Sequence, residues 1–141
     1  MAIEVNKVNI KELKRVSNKP DQLTGGHRLC PGCAAGTIFH QVFAAAENPL
    51  VVAVATGCFE VSTTIYPYTA WDIPYIHSAF ENAAAVASGI VEGINAMRDK
   101  GRYKHEHVDV IAIGGDGASF DIGLGAISGA LERGHDMVYM C

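Results

Sequence analysis

Apolar and polar positions fall along this chain in blocks that separate buried strands from amphipathic helices. Residues 50–55 form a continuous apolar run, and residues 108–113 form a second, β-branched one. Runs of this length without period-two alternation are expected of strands covered on both faces, as in a parallel sheet. Elsewhere the period changes to that of a helix. In residues 80–100, Ala83, Ala84, Val86, Ala87, Ile90, Val91, Ile94 and Met97 recur at helical spacing, and Gly101 is placed to cap the C-terminus. The many alanines of that helix, with Ser88, Gly89 and Gly93, predict very close packing against another element. A second helix is predicted from Gly36 to about Glu47, with Ile38, Phe39, Val42 and Phe43 on its inner side and Asn48-Pro49 as its stop. Ile122, Leu124, Ile127 and Leu131, with Ala126 and Ala130, open a third, which Gly134 closes before a last strand over 137–141. Residues 73–77 read as a short strand and 62–71 as an aromatic-rich loop. Residues 1–20 are polar, with Ile10, Leu13 and Val16 at helical spacing, and read as an arm or short helix lying on a partner or on the body until Pro20. Strands alternating with helices predict an α/β fold with a doubly wound parallel sheet. The expected division is an N-terminal arm, 1–24, and a main domain, 25–141.

Composition changes this picture little. At 141 residues and 49% apolar content the chain can bury a core as one domain. A net charge of −4 gives no reason to expect nucleic acid or an anionic membrane as partner. No apolar run approaches the roughly 18–20 residues that span a bilayer, and the N-terminal residues carry no secretory signal. Four cysteines without a leader fit a reducing, cytoplasmic compartment, where thiols serve metals or chemistry.

The chemistry is concentrated where the second apolar run ends. Gly114, Gly115, Asp116 and Gly117 follow that strand and precede a helix. Glycines let backbone N–H groups approach phosphate oxygens, and a helix N-terminus adds favourable partial charge. Asp116 is then placed to hold Mg²⁺, which takes carboxylate together with phosphate oxygens; a helix cap without metal is the plain alternative. Gly117, Ala118 and Ser119 offer backbone N–H groups, and Ser119 a hydroxyl. Phe80, Glu81 and Asn82 stand where a strand meets a helix, which suits capping or cofactor contact equally.

Cys30 and Cys33 form a Cys-Pro-Gly-Cys turn, and Cys58 follows 25 residues after Cys33, just past the first apolar run. Three such cysteines fit an iron–sulfur cluster, a structural zinc completed by histidine, or a redox thiol pair. Cys141 lies in an apolar strand and reads as a buried, inert thiol. Glu60 reads as a flank of the Cys58 loop or a solvated acid, His27 as a neighbour of the cysteines or a loop cap. His105 and His107 read as solvated surface. Tyr66, Tyr68 and Trp71 either line a pocket or anchor a long loop or subunit interface.

Gly115-Asp116-Gly117 resembles the first half of the thiamine-pyrophosphate (TPP) motif. Together with Cys30-x-x-Cys33, the 55–58 segment Ala-Thr-Gly-Cys, Gly26-His27, the 66–71 segment Tyr-Pro-Tyr-Thr-Ala-Trp, the 77–89 segment beginning His-Ser-Ala-Phe-Glu-Asn, and Asp121-Ile122-Gly123, it resembles the TPP-binding β subunit of 2-oxoacid:ferredoxin oxidoreductases, pyruvate:ferredoxin oxidoreductases (pyruvate synthases) above all. The resemblance covers about residues 25–141. It implies a TPP-binding α/β fold that is C-terminally incomplete, an N-terminal fragment, since the Asn-containing half of the motif falls past Cys141. It implies Gly57, Cys58, Phe80, Glu81, Asn82, Gly115, Asp116, Gly117, Ala118 and Ser119 as cofactor-binding residues, with Asp116 on Mg²⁺. It further implies Cys30, Cys33 and Cys58 as ligands of a [4Fe-4S] cluster whose fourth ligand lies far downstream, so the three sulfurs are expected to converge. The implied reaction is oxidative decarboxylation of a 2-oxoacid to acyl-CoA and CO₂, with electrons leaving through the cluster to ferredoxin and coenzyme A taking the acyl group. The implied partners are a pyrimidine-binding α subunit, which supplies the glutamate that activates the cofactor, and a ferredoxin-like subunit. No catalytic general base is therefore assigned in this chain. A TPP-dependent decarboxylase or synthase without electron transfer, and a zinc-binding α/β module, are the alternatives.

Overall fold

The computed structural model describes residues 9–141; the first eight residues of the expected arm lie outside it. Ten elements follow in order: α1 (Ile10–Ser17), α2 (Ala35–Ala45), β1 (Leu50–Ala55), α3 (Cys58–Thr63), β2 (Tyr75–Ser78), α4 (Ala83–Asp99), β3 (Asp109–Ile113), α5 (Asp116–Phe120), α6 (Leu124–Glu132) and β4 (Val138–Met140). The strands form one sheet in the order β2-β1-β3-β4, and every pairing is parallel. This is the doubly wound α/β arrangement that the alternation of elements predicts.

The two long apolar runs are the two central strands, β1 and β3. Alternate side chains along them feed two separate cores. Leu50, Val52, Val54, Ile111 and Ile113 point to one face, where Phe39 and Phe43 of α2, Phe59 of α3 and Trp71 cover them. Ala53, Ala55, Val110 and Ala112 point to the other, where Ala83, Ala87, Val91 and Ile94 of α4 and Ala118 of α5 lie. The aromatic face is built by ring contacts: Phe39 stacks on Phe59 at 4.3 Å, and Trp71 on Tyr75 at 4.7 Å. The alanine face lets α4 lie close to the sheet, as its composition predicts for Ala83, Ala84, Ala87 and Ser88, all buried. Gly89 and Gly93 depart from that expectation. Both are exposed, and a Cβ at either would meet no atom within 4 Å. They lie on the side of α4 turned from the sheet, which composition cannot distinguish from the packed side.

Two further differences from the pattern are local. Ser62 and Thr63 belong to the short helix α3 rather than to a loop. The segment beyond Gly117 is two helices, broken at Asp121 (φ −121°, ψ −105°). The break turns Ile122, Leu124 and Leu131 outward, where they are exposed, and leaves Ala130 as the buried position of α6. Gly101 and Gly134 end α4 and α6 with φ of +64° and +66°, the left-handed cap that only glycine adopts cheaply. At the other end, α1 is tied to the region after α2: Arg15 pairs with Glu47 at 2.5 Å and the Lys19 ammonium donates to the Ala46 carbonyl. The expected arm thus rests on the body.

Candidate functional site

The crossovers fix where a ligand can sit. β1 leads into α3, whose Phe59 joins the aromatic face, while β3 leads into α5, whose Ala118 joins the alanine face. Adjacent strands whose connections leave to opposite faces open a crevice at their C-terminal ends, the position where open α/β sheets bind ligands. Val54 pairs with Ile113 and Ala55 with Ser78, so three turns meet at this edge: 56–58 after β1, 79–82 after β2 and 114–117 after β3. The expected cofactor residues all lie in or directly after these turns.

Contacts between the turns are close. A Cβ on Gly117 would stand 2.8 Å from Cζ of Phe80, so the ring lies against the glycine backbone. A Cβ on Gly115 would meet nothing within 4 Å, so that side of the turn is open. Gly115 is the N-cap of α5 and no side chain caps the helix. The N–H groups of its first turn have no intrahelical acceptor. Asp116 is exposed and is the first residue of α5, not its cap. An uncapped helix start, an open glycine and a free carboxylate beside it fit a diphosphate with a divalent cation.

The other expected residues divide. Asn82 makes no side-chain cap bond to α4, which sets the capping alternative aside. Ala118 and Ser119 are buried, and the Ser119 hydroxyl is engaged internally, 2.6 Å from the Gly115 carbonyl and 3.0 Å from the Tyr139 hydroxyl. It braces the turn against β4 instead of facing a ligand. Trp71 anchors the long loop, donating to the Thr63 hydroxyl at 2.9 Å, while Tyr66 and Tyr68 stand out into solvent.

The cysteines differ from expectation. Cys30, Cys33 and Cys58 are exposed free thiols, and among the described residues no three His, Cys, Asp or Glu side chains are gathered closely enough to hold a metal ion. The segment around the 30–33 turn is held at two points. Its own bond, Cys33 N–H to the Cys30 carbonyl, closes it locally, and the Arg28 N–H donates to the Ser62 carbonyl. Ser62 is at the far end of α3 from Cys58. Cys141 follows β4 and is exposed in this structure, where the expectation was a buried thiol.

The surroundings of Glu60 could not be read from the sequence. Glu60 is not a solvated acid: its side chain is 7% exposed, accepts from the Thr64 hydroxyl at 2.6 Å and lies 3.6 Å from Nε2 of His77. The same Nε2 is 2.7 Å from the Thr56 hydroxyl, at the start of the Cys58 turn. Burial, and secondarily the Glu60 charge, push the Tyr75 phenol up to about 12, partly offset by the Thr64 hydroxyl. The available signal was an acid inside the otherwise apolar start of a helix, two residues after Cys58.

Residues 55–141 match the family described as "Thiamine pyrophosphate enzyme, C-terminal TPP binding domain". The chain belongs to this family. It is 49% identical over 138 residues to pyruvate synthase subunit PorB of Thermotoga maritima, covering 94% of this chain and 43% of that protein. It is 50% identical over 116 residues to PorB of Methanocaldococcus jannaschii, covering 82% and 39%. It is also 38% identical over 115 residues to ketoisovalerate oxidoreductase subunit VorB of Pyrococcus furiosus, covering 82% and 37%. The chain thus spans about two-fifths of the length of the curated relatives it matches. Among the described residues, no helix is long and apolar enough to cross a membrane.

Proposed function

We propose that this chain is the diphosphate-binding part of a 2-oxoacid:ferredoxin oxidoreductase that converts pyruvate, or a close 2-oxoacid, to acyl-CoA and CO₂. The observation that carries this reading is the meeting of the 56–58, 79–82 and 114–117 turns at the switch point of the sheet, in a chain resembling PorB and VorB subunits. The first-turn N–H groups of α5 take the diphosphate oxygens, and Asp116 gives one ligand to Mg²⁺, whose remaining positions go to phosphate oxygens and groups outside this set. Phe80, seated on Gly117, holds the turn and keeps water from one side of it. Bound thiamine pyrophosphate supplies the electron sink that lets a 2-oxoacid lose CO₂. Partner subunits, a pyrimidine-binding one and a ferredoxin-like one, complete the site, with coenzyme A as acyl acceptor. The four free thiols agree with a reducing, cytoplasmic setting.

Cys30, Cys33 and Cys58 are the proposed thiolate ligands of a [4Fe-4S] cluster. The support is that the 28–33 segment is hydrogen-bonded to the helix that Cys58 begins. The three thiols do not form a closed ligand set in the folded chain, so no reaction step is assigned to them. That scatter favours one second reading, a TPP-dependent decarboxylase or synthase without electron transfer; a zinc site would need the same gathering. Asp116→Asn in the full-length chain, assembled with its partner subunits, is expected to raise the Mg²⁺-dependent Kd for thiamine pyrophosphate at least tenfold, about 1.4 kcal/mol. Unchanged binding refutes the phosphate-site reading. Iron and sulfide analysis with 2-oxoacid-dependent dye reduction separates the two functions: absence of both leaves the non-redox one.

A further inference from the structure

We propose that Glu60 and His77 are positioning residues that hold the turn of Thr56, Gly57 and Cys58 against the end of β2. The proposal rests on the reading of that turn as part of the cofactor crevice, and it adds the device that sets its geometry. A carboxylate as buried as Glu60 is costly unless it is paired and hydrogen-bonded. Among the described residues its ion-pair partner is a histidine, not a lysine or arginine, and that histidine does not belong to α3. His77 lies on β2, one residue before Ser78, which pairs with Ala55.

The bonds form a chain across the crevice. The Thr56 N–H donates to the Ser78 carbonyl at 3.1 Å, and the Thr56 hydroxyl lies 3.2 Å from the same oxygen. If that hydroxyl donates to the carbonyl, it accepts from Nε2–H of His77, 2.7 Å away. The same Nε2 lies 3.6 Å from the Glu60 carboxylate, a close approach without a hydrogen bond. Glu60 meanwhile accepts from Thr64 at 2.6 Å. One imidazole edge therefore ties the residue before Gly57 to the residue two after Cys58. Gly57 itself is fully extended (φ 174°, ψ −179°) and has no side chain with which to fix the turn. Removal of the imidazole leaves the strands paired but frees the turn between them.

The test uses the full-length chain assembled with its partner subunits, as wild type, His77→Ala, His77→Gln and Glu60→Gln. Three quantities are read: the Kd for thiamine pyrophosphate, the alkylation rate of Cys58 after iron chelation (relative to its rate in the denatured chain), and the thermal midpoint. His77→Ala is expected to change the Cys58 rate, relative to the denatured chain, at least threefold and to weaken the cofactor threefold or more, with the midpoint nearly unmoved. His77→Gln is expected to restore both, because its amide nitrogen can stand where Nε2 does. Glu60→Gln keeps the Thr64 bond and loses the attraction to His77, and is expected to fall between. A Cys58 rate and a Kd equal to wild type in both His77→Ala and Glu60→Gln overturn the proposal. So does a change in His77→Ala that His77→Gln fails to reverse. If the wild type binds no thiamine pyrophosphate, the functional reading falls, and the Cys58 rate relative to the denatured chain alone decides the positioning role.

Discussion

Gly123 offers the sharpest test of how the diphosphate turn is held. Its backbone is ordinary (φ −89°, ψ −5°), so conformational freedom is not the reason for glycine there. Close approach is. A Cβ at this position would overlap the Ala118 carbonyl oxygen, lie 2.9 Å from the Ala118 carbonyl carbon and 3.3 Å from the Glu81 carbonyl oxygen. All three atoms are backbone, so no rotamer change relieves the conflict, and the link from α5 to α6 must shift away from the Ala118 carbonyl. Overpacking of this kind costs about 1–3 kcal/mol, sometimes more. At roughly 2–4 °C per kcal/mol, Gly123→Ala in the full-length chain is expected to lower the melting temperature by several degrees. Because α5 carries Asp116 and Gly117, the affinity for thiamine pyrophosphate is expected to fall with it. The matched control is Gly93→Ala, in the interior of α4 with no atom within 4 Å of its Cβ, where the helix gains about 0.5–1 kcal/mol. Thermal unfolding followed by circular dichroism, with a cofactor titration, reads both. A Gly123→Ala protein that melts and binds like wild type refutes the close approach of Gly123 to the Ala118 carbonyl.

Tyr75 makes stability fall at high pH. Its phenol is held near 12 in the folded chain against 10.0 in the open one, so its contribution is complete below pH 10 and lost as pH rises through about 12. Tyr75→Phe should flatten that part of the pH–stability curve, and an unchanged curve would remove the burial argument; the residue is only partly buried, which keeps the effect below that of a fully buried group. Thr63→Val should cost about 1–3 kcal/mol in a denaturant titration, because it leaves the buried Trp71 indole N–H without its 2.9 Å acceptor. A loss under a few tenths would show that the indole finds another partner.

What could be read from the sequence was local and backbone-driven. The central strands announce themselves because only strands covered on both faces can be apolar at every position, and Gly101 and Gly134 announce helix ends because few residues tolerate positive φ. The short helix α3 was not legible. Its Cys-Phe-Glu-Val-Ser-Thr sequence has weak helix propensity, and the turn forms through long-range contacts, Phe59 on Phe39 and Trp71 on Thr63. The break at Asp121 and the outward turn of Gly89 and Gly93 are likewise decided by which neighbours the fold supplies. Glu60 was open to two readings for the same reason: an acid flanking Cys58 cannot be told from a solvated one until the strand bearing His77 is laid beside it.

The same distinction explains why the crevice could be placed from sequence while the cysteine cluster could not. Each turn of the crevice directly follows a strand, so the parallel register of β1, β2 and β3 carries the turns to one edge however the side chains pack. The apolar runs at 50–55 and 108–113, each followed by glycine, therefore held the location of the crevice before any contact was known. Convergence of Cys30 and Cys33 on Cys58 has no such guarantee. The 30–33 turn precedes α2 and is joined to the sheet only through that helix and the Arg28–Ser62 bond. Spacing constrains two cysteines within one turn, but it says nothing of which end of α3 that turn will meet. A cluster held by all three would need the thiols gathered, and they are not gathered in this structure, whereas Asp116 and Gly117 already lie side by side in one turn.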